Sequence, residues 1–592
     1  MPTKAFTSRR WSRPSWTIVA ALLITAYGAL LRLDAFTAKY GTLDHPAWAR
    51  IATQRVAPVA RHLRPSTVFW GREARPYVGG DPITYLQFGR QMTSFYQPGV
   101  REPVFLALTK ASLWAVDNQD AGVSLASAIG SVAVIFGTFL LGAAVASRLV
   151  GLGAALIMAV DFEVITWSVD GWRDDTFSAM FVFAAWALVR LHQRQSFVNA
   201  VGAGVLCGIA CLTRITALSF VVPALGWIAV SGTAERRQRL GKAGLAFLLL
   251  GIVLGPYLLS CAIATGDPFI AINYHTRYYR YSEGLSIAQP MSATEYVGQK
   301  FVQHPIATAD VVTTGLIVRP FVTKWNGLDP WTPWLHRILW WSALAGMATW
   351  LFTPNGRLLI LILLSSVLPY AFTWNVAGGG QWRFTMHVYS LYAVAAIQAW
   401  WTLLQPGVLR SLPRHRWRIM AVAAAAAIGV VTYTALPWYV AREAVARGEA
   451  VNIETGPRDA VFYRSGWSAL RQEGVVTARV SQQAQTTLHF PLPTVKPYEI
   501  VLRFDPVAPD VQQRVTVLFN RQLLGTLKLS WNPERVGSYR LSLPVAWTRA
   551  GDNEITLVPD TLVSAAAGGP RYAWLDPAEK LGVRVWYLRV LD

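Results

Sequence analysis

Apolar runs of about 18 to 24 residues recur through the first 440 positions, and no other feature restricts the fold so strongly. A helix of about 20 residues, rising 1.5 Å per residue, covers about 30 Å of hydrocarbon, so each run can cross a bilayer. Lipid offers no partner for backbone N–H and C=O groups, and a helix satisfies them internally. The runs fall at roughly 16–33, 121–146, 150–168, 176–191, 197–212, 214–231, 243–264, 336–352, 357–374, 384–403 and 418–438. The expectation is a polytopic α-helical membrane protein with about 11 transmembrane helices.

Charge placement orients these helices. Lys4, Arg9, Arg10 and Arg13 precede the first run, which is full length and ends in Arg32-Leu33-Asp34. That pattern is a retained first helix with a cytoplasmic amino terminus, rather than a cleaved signal peptide. Alternation then puts the short basic loops inside: Arg148, His192 to Arg194, Arg236-Arg237-Gln238-Arg239 with Lys242, Arg357, and Arg410 to Arg418. Only Thr213-Arg214 separates the fifth and sixth runs. One long helix there would turn every later basic loop outward, so the bias favours two. The long segments 34–120 and 265–335 fall outside, as does everything after about 440. The expected location is a bacterial inner membrane, multi-pass, with a periplasmic carboxy-terminal domain.

Net charge is +21 over 592 residues, yet nucleic acid is not the implied partner. The arginines cluster beside apolar runs, where anionic headgroups lie, so membrane lipids are the expected partner. Cys207, Cys211 and Cys261 all fall inside apolar runs, without a disulfide framework or a CxxC metal pattern. Cys207 and Cys211, one helical turn apart, read as buried small hydrophobes. In the first outer segment, Trp48, Ile51, Val56 and Val59 alternate with Arg50, Arg55, Arg61 and Arg64, as in a helix lying at a membrane interface. In the second, Tyr274, His275, Arg277, Tyr278, Tyr279, Arg280 and Tyr281 suit either a lipid-carrier phosphate or an ordinary aromatic belt.

The pattern changes from about Asn452 onward. Apolar residues alternate, as in Tyr498-Glu499-Ile500-Val501-Leu502-Arg503-Phe504, with turns at Asn520-Arg521, Trp531-Asn532-Pro533 and Gly551-Asp552-Asn553. This predicts a carboxy-terminal antiparallel β-sandwich. Two domains follow: 1–440, membrane-embedded, and 441–592, a jelly-roll-like sandwich. Trp467, Trp531 and Trp547 could grip a glycan, although core packing is the commoner use of such residues.

Charged residues at the mouth of a membrane bundle are costly to hold and are functional candidates by default. Four strings qualify. Gly79-Gly80-Asp81-Pro82-Ile83-Thr84-Tyr85 supplies Asp81 and Tyr85, and Arg101-Glu102-Pro103 opens toward the second run. Asp170-Gly171-Trp172-Arg173-Asp174-Asp175 lies between the third and fourth runs. Gly378-Gly379-Gly380-Gln381-Trp382-Arg383-Phe384 precedes His387. Carboxylates of this kind can take a proton from an acceptor hydroxyl, and arginines can neutralise a phosphate leaving group. Each string also has a plain structural use. Asp81-Pro82 is a good helix start with Asp81 as N-cap, Arg101-Glu102 can be a local ion pair, and Arg173-Asp174-Asp175 can cap a helix. A lone helical histidine such as His387 is more often packed than functional.

At these residues the chain resembles the GT-C superfamily of polyprenyl-phosphate-sugar glycosyltransferases, nearest the protein O-mannosyltransferase and lipid A aminoarabinose transferase branch. The resemblance covers roughly residues 15–440. It rests on an acid before a tyrosine in the first outer loop, an Arg-acid-Pro before the second run, an Arg-Asp in the next outer loop, and a late Arg. It implies Asp81 as catalytic base, with Asp174, or its rivals Asp175 and Asp170, contributing to the site. Members often carry Asp-Glu where this chain has Asp81-Pro82, which weakens any metal pair and leaves a divalent ion open.

The implied reaction is inverting transfer from a polyprenyl-phosphate sugar to a hydroxyl of a glycan, lipid or protein acceptor. Tyr85, Arg101, Glu102, Arg173, Asp174 and Asp175 would bind substrate, Arg383 with Arg277 or Arg280 would hold the lipid phosphate, and His387 would add a polar contact. The rival readings are a non-enzymatic glycolipid transporter or assembly subunit, and a polymerase or ligase using a diphosphate-linked oligosaccharide. The absence of matched, Gly/Pro-broken repeats argues against a transporter.

Overall fold

A computed structural model describes residues 16–63, 80–232, 234–282, 290–303, 305–317, 332–372, 382–403, 438–443, 445–446, 451–454, 461–468, 471–473, 476–508, 511–529, 538–569, 572 and 575–591. The chain divides into two compact units, residues 1–299 with 315–416, and residues 300–314 with 417–592.

The first unit is helical. It opens with α1 (Trp16–Tyr40), then α2 (Ala47–Ile51) and α3 (Ala57–Leu63), which are continuous through a π turn at Ala52–Val56. Two helices follow in the first long loop, α4 (Asp81–Gln91) and α5 (Pro103–Ala115). The next stretch holds α6 (Ala121–Val145), α7 (Arg148–Val160), α8 (Phe162–Ser168), α9 (Arg173–Gln193), α10 (Phe197–Thr213), α11 (Leu218–Val230) and α12 (Arg236–Thr265). After α13 (Ile270–Ser282), and after α14 (Ala293–Gln303) and α15 (Pro305–Ile317), whose residues 300–314 belong to the second unit, come α16 (Thr332–Trp350), α17 (Pro354–Ala371) and α18 (Tyr389–Leu403).

Ten of the eleven apolar runs coincide with these helices, and the eleventh, 418–438, lies outside the described residues. By length and composition, four of the described helices can cross a membrane: α1, α6, α12 and α17. α7 and α8 make a fifth if taken as one element bent by 58°. The other described helices fall short of that length and composition for visible reasons, and the count of about 11 stays an expectation. α9 carries Arg173, Asp174, Asp175 and Arg190 in its 21 residues, and α10 and α11 are only 17 and 13 residues long.

Close approaches at glycines give the helix directions. A Cβ at Gly130 would meet Thr176, and one at Gly137 would meet Val182, so α6 and α9 run parallel. Gly204 lies against Ala246 and Gly208 against Val253, so α10 and α12 also run parallel, with α11 returning between them. The break after Thr213 therefore does separate two helices of opposite direction.

The bend between α7 and α8 falls at Asp161, inside what the sequence reads as one run. Its Oδ1 accepts from the backbone N–H groups of Glu163 and Val164 at 3.0 and 3.2 Å, capping α8. Its Oδ2 accepts from the Tyr389 hydroxyl at 2.5 Å. The bend leaves the last carbonyls of α7 without helical donors. Arg32, buried in α1, donates to those of Met158 and Ala159 at 3.0 and 3.2 Å.

In the second unit, β1 (Val451–Glu454), β2 (Arg471–Glu473), β3 (Val476–Val480), β4 (Thr486–Leu492), β5 (Tyr498–Pro506), β6 (Arg514–Phe519), β7 (Gln522–Lys528), β8 (Ser538–Leu543) and β9 (Gly551–Pro559) lead through the short pair β10 (Val563–Ser564) and β11 (Lys580–Leu581) to β12 (Val583–Leu591). One antiparallel sheet has the order β2-β3-β12-β5-β8, with β1 also on β12, and the other β4-β9-β6-β7. Alternate residues from the two sheets, Leu488 and Phe490, Ile500, Leu502 and Phe504, Val515 and Val517, and Ile555 and Leu557, share one core. This is the two-layer sandwich expected from period-2 alternation. Trp467 and Trp547 pack against that core, and the Trp467 indole donates to the Thr487 carbonyl at 2.8 Å. Both are half-buried there, while Trp531 lies outside the described residues.

Candidate functional site

α4 begins at Asp81, with Pro82 behind it, as suits a residue whose φ is already helical and whose missing N–H would be unpaired there. The N-cap position belongs to Gly80, whose φ of +69° favours glycine, so the expected capping role of Asp81 is corrected. The carboxylate instead turns to two guanidinium groups. Oδ1 accepts from Arg101 Nη2 at 3.3 Å and Oδ2 from Arg383 Nη1 at 3.1 Å. Arg101 precedes α5 and Arg383 precedes α18, so Asp81 ties together three distant parts of the chain.

Both arginines are fixed by rings. Arg101 lies over Tyr85 at 5.2 Å from the ring centroid, and Arg383 lies over Trp172 at 4.0 Å and Phe384 at 4.6 Å. His275 on α13 meets Arg101 Nη1 through Nε2 at 2.7 Å. A guanidinium only donates, so this nitrogen is the acceptor. Burial and the neighbouring Arg101 charge push His275 well below the usual imidazole range, which keeps it neutral in that role. Burial alone would raise the Asp81 carboxyl, but the charges of Arg383 and Arg101 outweigh it and leave the group below the ordinary carboxylate range. The Nε groups of Arg101 and Arg383 are buried with no hydrogen-bond partner among the described residues. Two cations facing one carboxylate, with spare buried donors, form an environment suited to a further anion.

A second tier is closed. Glu102 Oε2 pairs with Arg173 Nη1, and Oε1 accepts from the Ile215 backbone N–H at 2.8 Å. Asp174 pairs with Arg214, whose guanidinium sits over Tyr370, Phe384 and Phe177 at 4.8, 5.5 and 5.7 Å. Asp175 accepts from Ser127 Oγ at 2.9 Å. The Glu102 and Asp174 side chains are 2% and 3% exposed, against 36% for Asp81. Buried charges of this kind persist only when paired and hydrogen-bonded, and these are. Asp81 is the carboxylate of the group that an incoming molecule can reach.

The structure thus brings together Asp81, Tyr85, Arg101, Glu102, Arg173, Asp174 and Arg383, with Asp175 beside them on α9. His387 is buried among Phe177, Phe181 and Tyr370 and bonds Ser366 Oγ at 3.2 Å, the packing of a core residue. Arg277 is exposed and Arg280 buried on α13, and neither is among the ion-pair partners of Asp81. Residues 378–381 lie outside the described residues. Sequence reasoning missed Arg214, His275 and Trp172 as members of the site. Arg214 carried a signal, an ionisable residue between two apolar runs, but it reads there as a boundary. Among the described residues no three His, Cys, Asp or Glu side chains are grouped to hold a metal ion.

A polar site of paired carboxylates and arginines, set at the ends of apolar helices, belongs to a multi-pass membrane protein. Residues 98–259, which include Arg101, Glu102, Arg173, Asp174 and Arg214, match the family model described as dolichyl-phosphate-mannose-protein mannosyltransferase. That family is one of glycosyltransferases of the GT-C type, the group the sequence strings resemble. No curated protein matches the chain.

Among solved structures, the chain is similar to the Archaeoglobus fulgidus oligosaccharyltransferase in its apo form, at 15% identity and TM-score 0.40, over 70% of this chain and 55% of that one. It thus spans about half the length of that protein. It is also similar to ArnT from Cupriavidus metallidurans bound to undecaprenyl phosphate, at 12% identity and TM-score 0.38, over 73% of this chain and 70% of that one. A family 35 carbohydrate binding module from an environmental isolate is similar over 24% of this chain and 93% of the module, at 18% identity and TM-score 0.18. At TM-scores this low the likenesses carry no argument about this chain.

Proposed function

We propose that this protein is an integral-membrane glycosyltransferase that moves a sugar from a polyprenyl-phosphate donor to an acceptor hydroxyl, with inversion, on the extracytoplasmic face. The observation that carries the reading is Asp81, a reachable carboxylate held between two arginines whose Nε groups have no partner among the described residues. In the step proposed, the acceptor oxygen gives its proton to Asp81 and bonds the anomeric carbon. The bond from that carbon to the phosphate oxygen breaks, and the lipid phosphate departs with the electron pair. Arg101 and Arg383 receive its charge.

An aspartate gripped by two cations is a weak base, and the arrangement answers this difficulty. When a phosphate draws Arg383 and Arg101 toward itself, their hold on Asp81 loosens and its basicity rises. The base is then strengthened only when the donor is in place. Glu102, Arg173, Asp174 and Arg214 position the two arginines and the helix ends around them. A phosphate leaving group needs no strong acid, so one carboxylate suffices. The family match over 98–259 supports this class of reaction.

The test incubates purified wild type and Asp81→Asn with a panel of radiolabelled polyprenyl-phosphate sugars and a membrane extract as acceptor source. Transfer by wild type, and loss of it by a factor of about 10² to 10⁴ in a folded, donor-binding Asp81→Asn, is expected. Turnover retained in Asp81→Asn would remove the base, and no transfer by wild type from any donor would remove the reading.

A further inference from the structure

The stretch from Ala47 to Leu63 forms one continuous helical rod with three distinct faces. Ala49, Thr53, Ala57 and Ala60 are buried. Trp48, Ile51, Val56, Val59 and Leu63 are exposed and apolar. Arg50, Arg55, Arg61 and His62 are exposed and basic. The π turn at Ala52–Val56 is what keeps these faces distinct. An α-helix turns about 100° per residue, and the wider π turn rotates each residue less. Val56, Val59 and Leu63 therefore stay in line with Trp48 and Ile51 instead of drifting around the rod.

The rod does not lie flat beside α1. Arg61 Nε approaches Asp34 Oδ1 at 3.4 Å, and two residues later the Leu63 carbonyl accepts from the Tyr27 hydroxyl at 2.8 Å. Asp34 and Tyr27 are about 10 Å apart along α1 at 1.5 Å per residue. Tyr27 is one residue from the middle of this 25-residue helix. A helix about 37 Å long that crosses about 30 Å of hydrocarbon has its middle inside the hydrocarbon, whatever its seating. The end of α3 has descended to that depth.

We propose that residues 47–63 are inserted obliquely into the leaflet on the side of the candidate site, with Trp48, Ile51, Val56, Val59 and Leu63 against acyl chains, Arg50 and Arg55 toward anionic headgroups, and Arg61 held below them by Asp34. The apolar face continues the exposed lipid-facing surface of α1, which carries Leu22 and Leu23. Trp114 on α5, 86% exposed, stands beside it, since the Trp48 indole donates to the Ala115 carbonyl at 2.9 Å. The proposal rests on α1 crossing the membrane and not on the transfer reaction.

Nitroxide labels on Trp48→Cys, Arg50→Cys, Val59→Cys and Leu63→Cys in the full chain, in liposomes of phosphatidylethanolamine and phosphatidylglycerol, test it. Cys207, Cys211 and Cys261 are buried, and unsubstituted protein gives the labelling background. Labels at 59 and 63 should collide with oxygen several-fold more than with a nickel chelate, 63 should lie deeper than 48, and 50 should show the reverse preference. Nickel access at 59 and 63 equal to that at 50 overturns the proposal, and so does shielding from both reagents, which would mean a protein cover. Equal depth at 48 and 63 overturns the descent. Unsubstituted protein exposed to lipids with a photoreactive group deep in the acyl chain should form adducts within 56–63, and none would count equally against it.

Discussion

Asp81 holds a charge that Arg383 and Arg101 make harder to neutralise, and if Asp81 is the base proposed above, this sets where activity fails in acid. Its folded pKa lies below the unfolded value, so the stabilisation from its ion pairs is complete above about pH 3.9 and is lost as pH falls through the folded value. The acid limb of kcat/KM, which reports free enzyme, should therefore lie below about pH 4. The limb of kcat should sit higher, because the bound phosphate competes for the two guanidinium groups. Arg383→Gln should raise the kcat/KM limb toward the ordinary range; coincident limbs in all three profiles would contradict this account. His275 gives a second acid effect of its own. Its depressed pKa means that its contribution to stability is full above about pH 6.5 and declines below it, so His275→Gln should flatten the loss of Tm between pH 6.5 and 5. The two tiers of carboxylates separate by stability as well. Glu102→Gln leaves Arg173 without its buried partner and should cost about 3–5 kcal/mol in thermal unfolding. Asp81→Asn, at a reachable position where water can replace part of the lost ion pairs, should lower Tm less than Glu102→Gln does.

Between elements, the bundle depends on backbones that touch. A Cβ at Gly130 would come within 2.7 Å of the Thr176 backbone, where α6 and α9 cross. Gly130→Val should cost about 1–3 kcal/mol or more, while Gly202→Ala, where a Cβ meets nothing, should stabilise or be neutral; a Tm comparison in detergent checks both. The apolar runs made these helices legible, because a run long enough to cross lipid has few other folds open to it. The bend at Asp161 was not legible, since Asp161 and Glu163 look like mere interruptions of one run. Their meaning depends on Tyr389 and Arg32, which are far away in sequence. The site divides in the same way. Asp81, Arg101, Arg173 and Arg383 stand out as charges at the ends of apolar runs. The Arg214 partner lies 40 residues upstream, and the His275 partner 174, so only the folded chain shows what each is for.

Across the whole chain, the two compact units carry separate cores, and they should melt separately. Phe519→Ala empties part of the sandwich interior and should cost about 2–5 kcal/mol in that unit's calorimetric transition while leaving the other unit's transition in place. A single shared transition shifted as one would argue against independent cores. The alternating strands of the sandwich were legible from their period. The aromatic residues that could have gripped a glycan were ambiguous, because a ring filling a core and a ring awaiting a sugar look alike in sequence. In the helical unit, the order of directions has a further consequence. The members of the site gather at one end of the bundle: at the start of α4, before α5, at the start of α9, after α10, on α13, at the end of α17 and before α18. Evolution can therefore lengthen or shorten such a protein between these positions only by even steps. A helical hairpin gained or lost preserves the parity and the site with it, whereas one helix alone would strand part of the charges at the opposite end of the bundle.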